Sequence, residues 1–257
     1  MEIRRADSQD YGALAALTEL EGWNYSVQDF SDMQATGCTT TFVAVGEGRI
    51  KGMITVMDYG RVGWISNMLV EKASRGKKLG GDLLEEGIKA LGEKQTITLF
   101  AYMDAKRFYL RHGFRCDRDF PLVRFIGGRK GSAREGGSIE EVFAMDEKCF
   151  GFSRRGLLRV LMGKGSTLLP LSGAGYAIVR PDPREALVGP VVAEEKGSGM
   201  DLLYAGFNML GAGSLAVVPD GKIDGVEEVI RVSRLFLGER PSTDFARVFA
   251  FAGLEFG

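Results

Sequence analysis

Residues 68–91 read MLVEKASRGKKLGGDLLEEGIKAL: a short apolar run, a basic glycine-rich turn, then a helix. Arg75, Lys77 and Lys78 crowd around Gly76, Gly80 and Gly81 at the mouth of that helix. Cations this close repel one another, and glycines weaken the helix they precede. An anion resolves the conflict. The first turn of a helix offers unpaired N–H groups and partial positive charge, and glycine lets a phosphate approach the backbone with no side chain in the way. Two familiar phosphate loops nevertheless fail here. Gly76 and Gly81 have Walker spacing, but Asp82 stands where a lysine is required; Lys78 breaks the dinucleotide fingerprint.

Outward from this turn, Leu79, Leu83, Leu84, Ile88 and Leu91 make one apolar helical stripe, and Gly92 is placed to stop it. Upstream, TTFVAVGEGRIKGMITVMDY (40–59) and RVGWISNMLV (61–70) are β-branched and aromatic runs split by turn residues, which predicts an antiparallel meander. Before them, residues 1–6 read as a strand. Asp7 or Ser8 is placed to cap a helix carrying Tyr11, Leu14, Leu17 and Leu20, and a second short helix follows Ser26. Downstream come a strand over 96–103, a helix over 104–112 ended by Gly113, and strand material over 114–127.

GGRKGSAREGG (127–137) is glycine-rich, charged and without apolar residues, so a linker is expected over 128–137, between domains 1–127 and 138–257. The second half opens on a helical region (138–162), then strand-like 175–181 and 185–194, a helix over 199–210, a strand over 214–219 and a mixed ending. This order loosely repeats the first half and predicts two copies of one α/β domain, each an α+β mixed, mostly antiparallel sheet flanked by helices.

The 257 residues suffice for two domains of ordinary size. With 33 basic and 34 acidic side chains, no global pull toward nucleic acid or an anionic membrane is expected. The N-terminus is polar from its second residue, and no apolar run approaches a membrane span. The three cysteines are widely spaced and odd in number, which suits buried thiols in a reducing cytoplasm. The single histidine, His112, removes zinc sites built on two histidines; no metal is expected. No G-x-S-x-G elbow occurs.

The basic turn resembles the acetyl-CoA loop of the GCN5-related N-acetyltransferases, [RQ]-x-x-G-x-[GA]. Here it reads Arg75-Gly76-Lys77-Lys78-Leu79-Gly80, with the first and last positions matched and Lys78 in place of the middle glycine. WISNMLV sits where the family carries the preceding strand. Ala105, Tyr109, Gly113 and Phe114 match a family pattern, although the usual asparagine of that helix would fall on Tyr102 and is missing. The resemblance covers residues 1–127 and implies that the backbones of Met68, Leu69 and Val70 grip the pantetheine and thioester. It implies that the loop from Arg75 through Gly81 holds the pyrophosphate, with Lys77 and Lys78 adding charge.

It further implies transfer of acetyl from acetyl-CoA to an amine by direct attack in a ternary complex, with Tyr109 as general acid. Glu71, Asp58, Glu21 and Asp29 stand in regions suited to a base, but spacing selects none of them; a water relay also serves in the family. His112 is expected on the helix surface. Trp23 and Asn24 fall in the connection that borders the acceptor cleft, where the ring and amide could recognise an amine; Trp23 also suits an ordinary core. The second half resembles a related domain often fused to such enzymes, but Glu194 and Glu195 replace the basic turn. It is expected to bind no cofactor and to shape the cleft or a homodimer surface. The acceptor, a small molecule or a protein amino group, is left open, and the altered loop leaves a non-catalytic acyl-CoA-binding or regulatory module as the alternative.

Overall fold

The computed structural model describes residues 1–132, 136–163, 165–219 and 222–257. In chain order the elements are β1 (Glu2–Arg5), α1 (Tyr11–Glu19), α2 (Val27–Ala35), β2 (Thr39–Gly46), β3 (Arg49–Tyr59), β4 (Val62–Val70), a 3-10 turn (Lys72–Ser74), α3 (Leu79–Leu91), β5 (Thr96–Tyr102), α4 (Lys106–Arg111) and β6 (Arg115–Phe125). The second half contributes α5 (Ile139–Phe150), α6 (Arg155–Leu161), β7 (Thr167–Leu171), β8 (Gly175–Arg180), β9 (Leu187–Ala193), α7 (Lys196–Leu210), β10 (Leu215–Val217), β11 (Val226–Gly238) and β12 (Val248–Ala250). After β1, the sequence αα-βββ-α-β thus occurs twice. Part of the expected linker, residues 133–135, lies outside the described residues.

Local signals explain the boundaries. Ser26 and Asp29 form a reciprocal capping box at α2, and Ser138 with Glu141 does the same at α5. The cap of α1 is Asp10, not Asp7 or Ser8 as its sequence suggests: Arg4 holds the Asp10 carboxylate through two hydrogen bonds of 2.7 and 2.9 Å, so the helix starts after it. Two strands escape a reading by pattern. One is β7, half-buried throughout; the other is β11, which is polar at its start and buried only toward its end.

The strands form one continuous sheet in the order β1-β2-β3-β4-β5-β11-β6-β10-β9-β8-β7, with β12 beside β9. The halves exchange strands: β11 of the second half pairs with β5 of the first, and β6 of the first pairs with β10 of the second. The β6–β11 pair is the seam. On one face of the first half, Leu79, Leu83, Leu84 and Leu91 of α3 pack on Ile54, Val56, Ile65, Ile97 and Leu99. Close approach depends on Gly87, where a Cβ would lie 2.8 Å from Ile54. α1 and α2 cover the other face with Leu14, Leu17, Phe30 and Met33. In the second half α7 packs on β8, β9 and β10 as α3 does on its strands. A fourth core, centred on Trp64, Phe120, Phe143, Phe150 and Phe251, lies between the halves. No described helix is long and apolar enough to cross a membrane.

Candidate active site

Strand β4 runs parallel to β5 only from Val62 to Ile65, opposite Thr96 to Leu99. Beyond Ile65 the two part. On the other side β4 stays paired with β3 through a bulge: Thr55 faces Ser66 and Met53 faces Leu69, so Asn67 and Met68 together oppose Ile54. Asn67 takes φ 46° to make the extra residue fit. Past the bulge β4 no longer pairs with β5, which continues along β11 to Tyr102, and a wedge opens between β4 and β5. Met68, Leu69 and Val70 form the free arm of that wedge. Leu69 and Val70 point their side chains into separate cores on the two faces, while Met68 lies against Gly80 and Phe108.

The basic turn connects this arm to α3. Gly76 has φ 77° and Lys78 φ 66°; Lys78, the residue in place of a loop glycine, adopts the left-handed conformation a glycine would take. Lys77 and Lys78 are exposed at the helix mouth, and Leu79 is buried beneath them. Arg75 is placed differently from the lysines. Its Nε donates to the Val70 carbonyl at 2.9 Å and its Nη2 to Glu21 at 2.6 Å, so its guanidinium braces the turn against the arm and the α1–α2 connection. Gly81 faces the His112 ring, where a Cβ would lie 3.2 Å from Nε2, and His112 Nδ1 lies 2.9 Å from the Phe108 carbonyl oxygen. His112, the C-cap residue of α4, is half-buried and lines neither cavity. Turn, helix start and wedge suit an elongated ligand with a phosphate at one end.

Tyr109 lies on α4, 6% exposed, and lines a cavity of about 230 Å³ at the wedge. Burial alone pushes its phenol well above the usual value, so it keeps its proton at neutral pH. Ser66, Asn67 and Met68 line the same cavity, as do Phe100 and Tyr102 of β5 and Trp23 and Tyr25 of the α1–α2 connection. Trp23 is half-buried, with its ring 6.2 Å from that of Tyr102; it packs against the α1–α2 core and also walls the cleft. A second cavity of about 310 Å³ shares Trp23, Tyr25, Glu185, Leu187 and Glu255 with the first, and Asn24 lines it. The two therefore adjoin, and these shared residues form the neck between them.

The carboxylates suggested by the sequence have other duties. Glu71 accepts from Ser74 and pairs with Lys51 and Arg49, which hold its carboxyl below the ordinary range. Asp58 pairs with Lys94 at the far end of β3, and Glu21 pairs with Arg75. Asp29 feels burial, but hydrogen bonds from Arg184 and Ser26 outweigh it and keep its carboxyl low. None of Glu71, Asp58 and Glu21 lines either cavity, and Asp29 reaches only the second.

The acids at the neck are Glu185, in the β8–β9 connection, and Glu255, beyond β12. Tyr25 donates to Glu255 at 2.6 Å, and Arg184 donates to Asp29 at 3.0 Å and to the Asn24 carbonyl at 2.9 Å. These bonds fasten the second half onto the first around the cleft. Neither glutamate carries a motif; their only local signal is the charge density of RPDPRE (180–185) and the closing AGLEFG (252–257).

In the second half the equivalent wedge, between β9 and β10, is filled by the chain itself. Those strands touch only at Leu187 and Leu215. β12 lies along β9, Ala193 donates to the Arg247 carbonyl, and Phe251 donates to the Val217 carbonyl of β10. The Phe249 ring sits over Gly199 in the first turn of α7, where a Cβ would lie 2.1 Å from it. Glu194 at that helix mouth is bound to Lys148 and Arg247.

Residues 38–116 match one acetyltransferase (GNAT) domain family and residues 142–232 match another. No curated protein sequence matches the chain. Among solved structures, a "putative acetyltransferase" from Pyrococcus horikoshii shares 21% identity over 100% of this chain and 95% of its own, with a TM-score of 0.83. A GCN5-related N-acetyltransferase from Sphaerobacter thermophilus shares 16% over 95% of this chain and 98% of its own, with a TM-score of 0.62. A glucosamine N-acetyltransferase region in a fungal multi-domain GH3 β-N-acetylglucosaminidase shares 13% over 92% of this chain and 38% of its own, at 0.66. At these identities the likeness is one of fold. The two domain matches together span well over half of the chain, one in each half of the repeated element order. The chain belongs to the GCN5-related N-acetyltransferase superfamily as a tandem of two such domains.

Proposed function

We propose that the first half binds acetyl-CoA and transfers its acetyl group to an amine by direct attack within a ternary complex. The observation that carries this reading is the continuity of the wedge: one end meets the cationic turn at α3, the other opens on the cavity lined by Tyr109. Backbone N–H groups of the turn and of the first turn of α3 would hold the pyrophosphate, with Lys77 and Lys78 adding charge. Arg75 would act indirectly, by ordering the turn. The arm Met68–Val70 would receive the pantetheine and thioester, which supply an activated acyl carbon. A backbone N–H of the arm near Leu69 would stabilise developing oxyanion charge, and Tyr109 would protonate the departing thiolate. The acceptor is a small molecule or protein amine that reaches the cavity through the aromatic, acidic neck. The filled wedge of the second half leaves one cofactor site among the described residues.

The test pairs binding with turnover. Acetyl-CoA at about one hundred times its Kd should stabilise the protein by about 2.7 kcal/mol, raising Tm by roughly 2–4 °C per kcal/mol, with a smaller rise in K77A/K78A. Tyr109→Phe should keep that rise and lower acceptor-dependent thiol release by about 10²–10⁴-fold. Unchanged turnover in Tyr109→Phe removes the acid role. Binding without thiol release across an amine panel would make the protein an acyl-CoA-binding module instead.

A further inference from the structure

The neck between the cavities combines three observations. Glu185 and Glu255, both from the second half, face it together with Trp23, Tyr25 and Tyr102 from the first. Glu255 is fixed by the Tyr25 hydroxyl, while the Glu185 carboxylate has no hydrogen bond or ion pair among the described residues. On the cavity wall, Ser66 is 8% exposed and its buried hydroxyl has no partner there either. An unpaired buried hydroxyl is costly and points to a polar occupant. Aromatic rings beside two carboxylates, one of them free, suit an ammonium group.

Resting on the acetyltransferase reading above, we propose that the second half completes the active site: Glu185 is the base that takes the acceptor's proton, and Glu255 is the fixed anion that draws the ammonium in. Glu185 accepts one proton from the ammonium. The freed nitrogen lone pair forms the C–N bond to the thioester carbonyl carbon, the C–S bond breaks with its pair on sulfur, and Tyr109 protonates the thiolate. The second N–H proton and the one on Glu185 leave to solvent or restore Tyr109, for a net release of one proton per turnover.

The charges around Glu185 favour this role. Burial and then the neighbouring Glu255 push its carboxyl up; Asp182 adds to this, and Arg180 and Arg184 oppose it. From the first half it faces Tyr25 and Tyr102, both held neutral, the latter pushed up to about 12 by burial first and then by Glu255 and Glu185. Glu185 is exposed at the cleft, yet its raised carboxyl is a stronger base than an ordinary glutamate and is charged only above its pKa, so activity should fall as pH drops through that value.

The test compares butylamine with 2,2,2-trifluoroethylamine, whose ammonium is far more acidic and needs little help from a base. Glu185→Gln should lower kcat/KM for butylamine by about 10²–10³-fold and abolish the acidic limb of its pH profile, with trifluoroethylamine changed by less than about threefold. Glu255→Gln should weaken both amines alike. Equal losses for both amines in Glu185→Gln, or an unchanged pH profile, overturn the base assignment. Calorimetry of butylamine binding to the protein without acetyl-CoA separates this proposal from the acetyltransferase reading. Binding weakened about tenfold or more in both variants supports an ammonium site even if no thiol is released; no binding by the wild type overturns it. The acetyl-CoA-induced rise in Tm should survive in both variants and shows that they are folded.

Discussion

Lys78 occupies a backbone conformation that most L-residues avoid, at φ 66° in the turn before α3. The left-handed region costs a residue with a Cβ about 1–2 kcal/mol, while glycine adds unfolded-state entropy of about half that. Lys78→Gly should therefore raise stability by about 0.5–1 kcal/mol, read as the midpoint of urea unfolding. The same variant should weaken acetyl-CoA modestly, and the loss should shrink at high salt, because only an exposed charge is removed. Arg75 differs from its neighbours although all three are cations in one turn. Its bonds to Val70 and Glu21 make it a brace, a role invisible in the sequence because Glu21 lies 54 residues away.

Among the elements, α5 and α6 are held by a buried ion pair. Arg154 and Asp146 meet through Nε–Oδ2 at 3.0 Å and Nη2–Oδ1 at 2.7 Å, with side chains 0% and 1% exposed. Tyr176 donates to the same carboxylate, the guanidinium stacks 3.5 Å from the Phe150 ring centroid, and Nη1 donates to the Gly257 carbonyl. The network joins two helices, the strand β8 and the segment after β12. Asp146→Ala leaves a guanidinium buried without its counter-charge and should destabilise by about 3–5 kcal/mol. Replacing both partners, as in D146L/R154M, should recover much of that loss. Equal unfolding midpoints for the single and double variants would show that the pair matters by its volume alone.

At the scale of the molecule, the exchange of β6 and β11 makes the halves interdependent. A fragment of residues 1–127 would expose one edge of β5 and both of β6, together with the faces of Trp64 and Phe120 that the second half covers. Unpaired apolar edges favour association over folding. The fragment should therefore lack a cooperative thermal transition and elute as aggregate, where the full chain elutes as a discrete species. A monomeric, cooperatively melting fragment would mean that β6 can return to β5 within its own half. The exchange also places the second half over the mouth of the first wedge, where it supplies Glu185 and Glu255 while the segment around β12 fills its own wedge.

Much was legible along the chain because it depends on neighbours in sequence. The α3 stripe, its stop at Gly92, the β2–β3–β4 meander, the start of α2 after Ser26 and the order of elements repeated in both halves all follow from spacing, since helix and strand periods are local. So does the cationic glycine turn, whose left-handed backbone at Gly76 and Lys78 needs only a few consecutive residues. Contacts between the halves could not be read in that way. Pairing of β5 with β11, closure of the second wedge by residues around Phe251, and the meeting of Tyr25 with Glu255 across 230 positions leave no periodic trace. They arise from the burial of apolar faces between the halves and the pairing of exposed strand edges, and those forces act on the folded surface, not on sequence separation. Glu185 is an ordinary acidic loop residue in the sequence; the fold sets it at the neck of the cleft, among the aromatic rings of the first half.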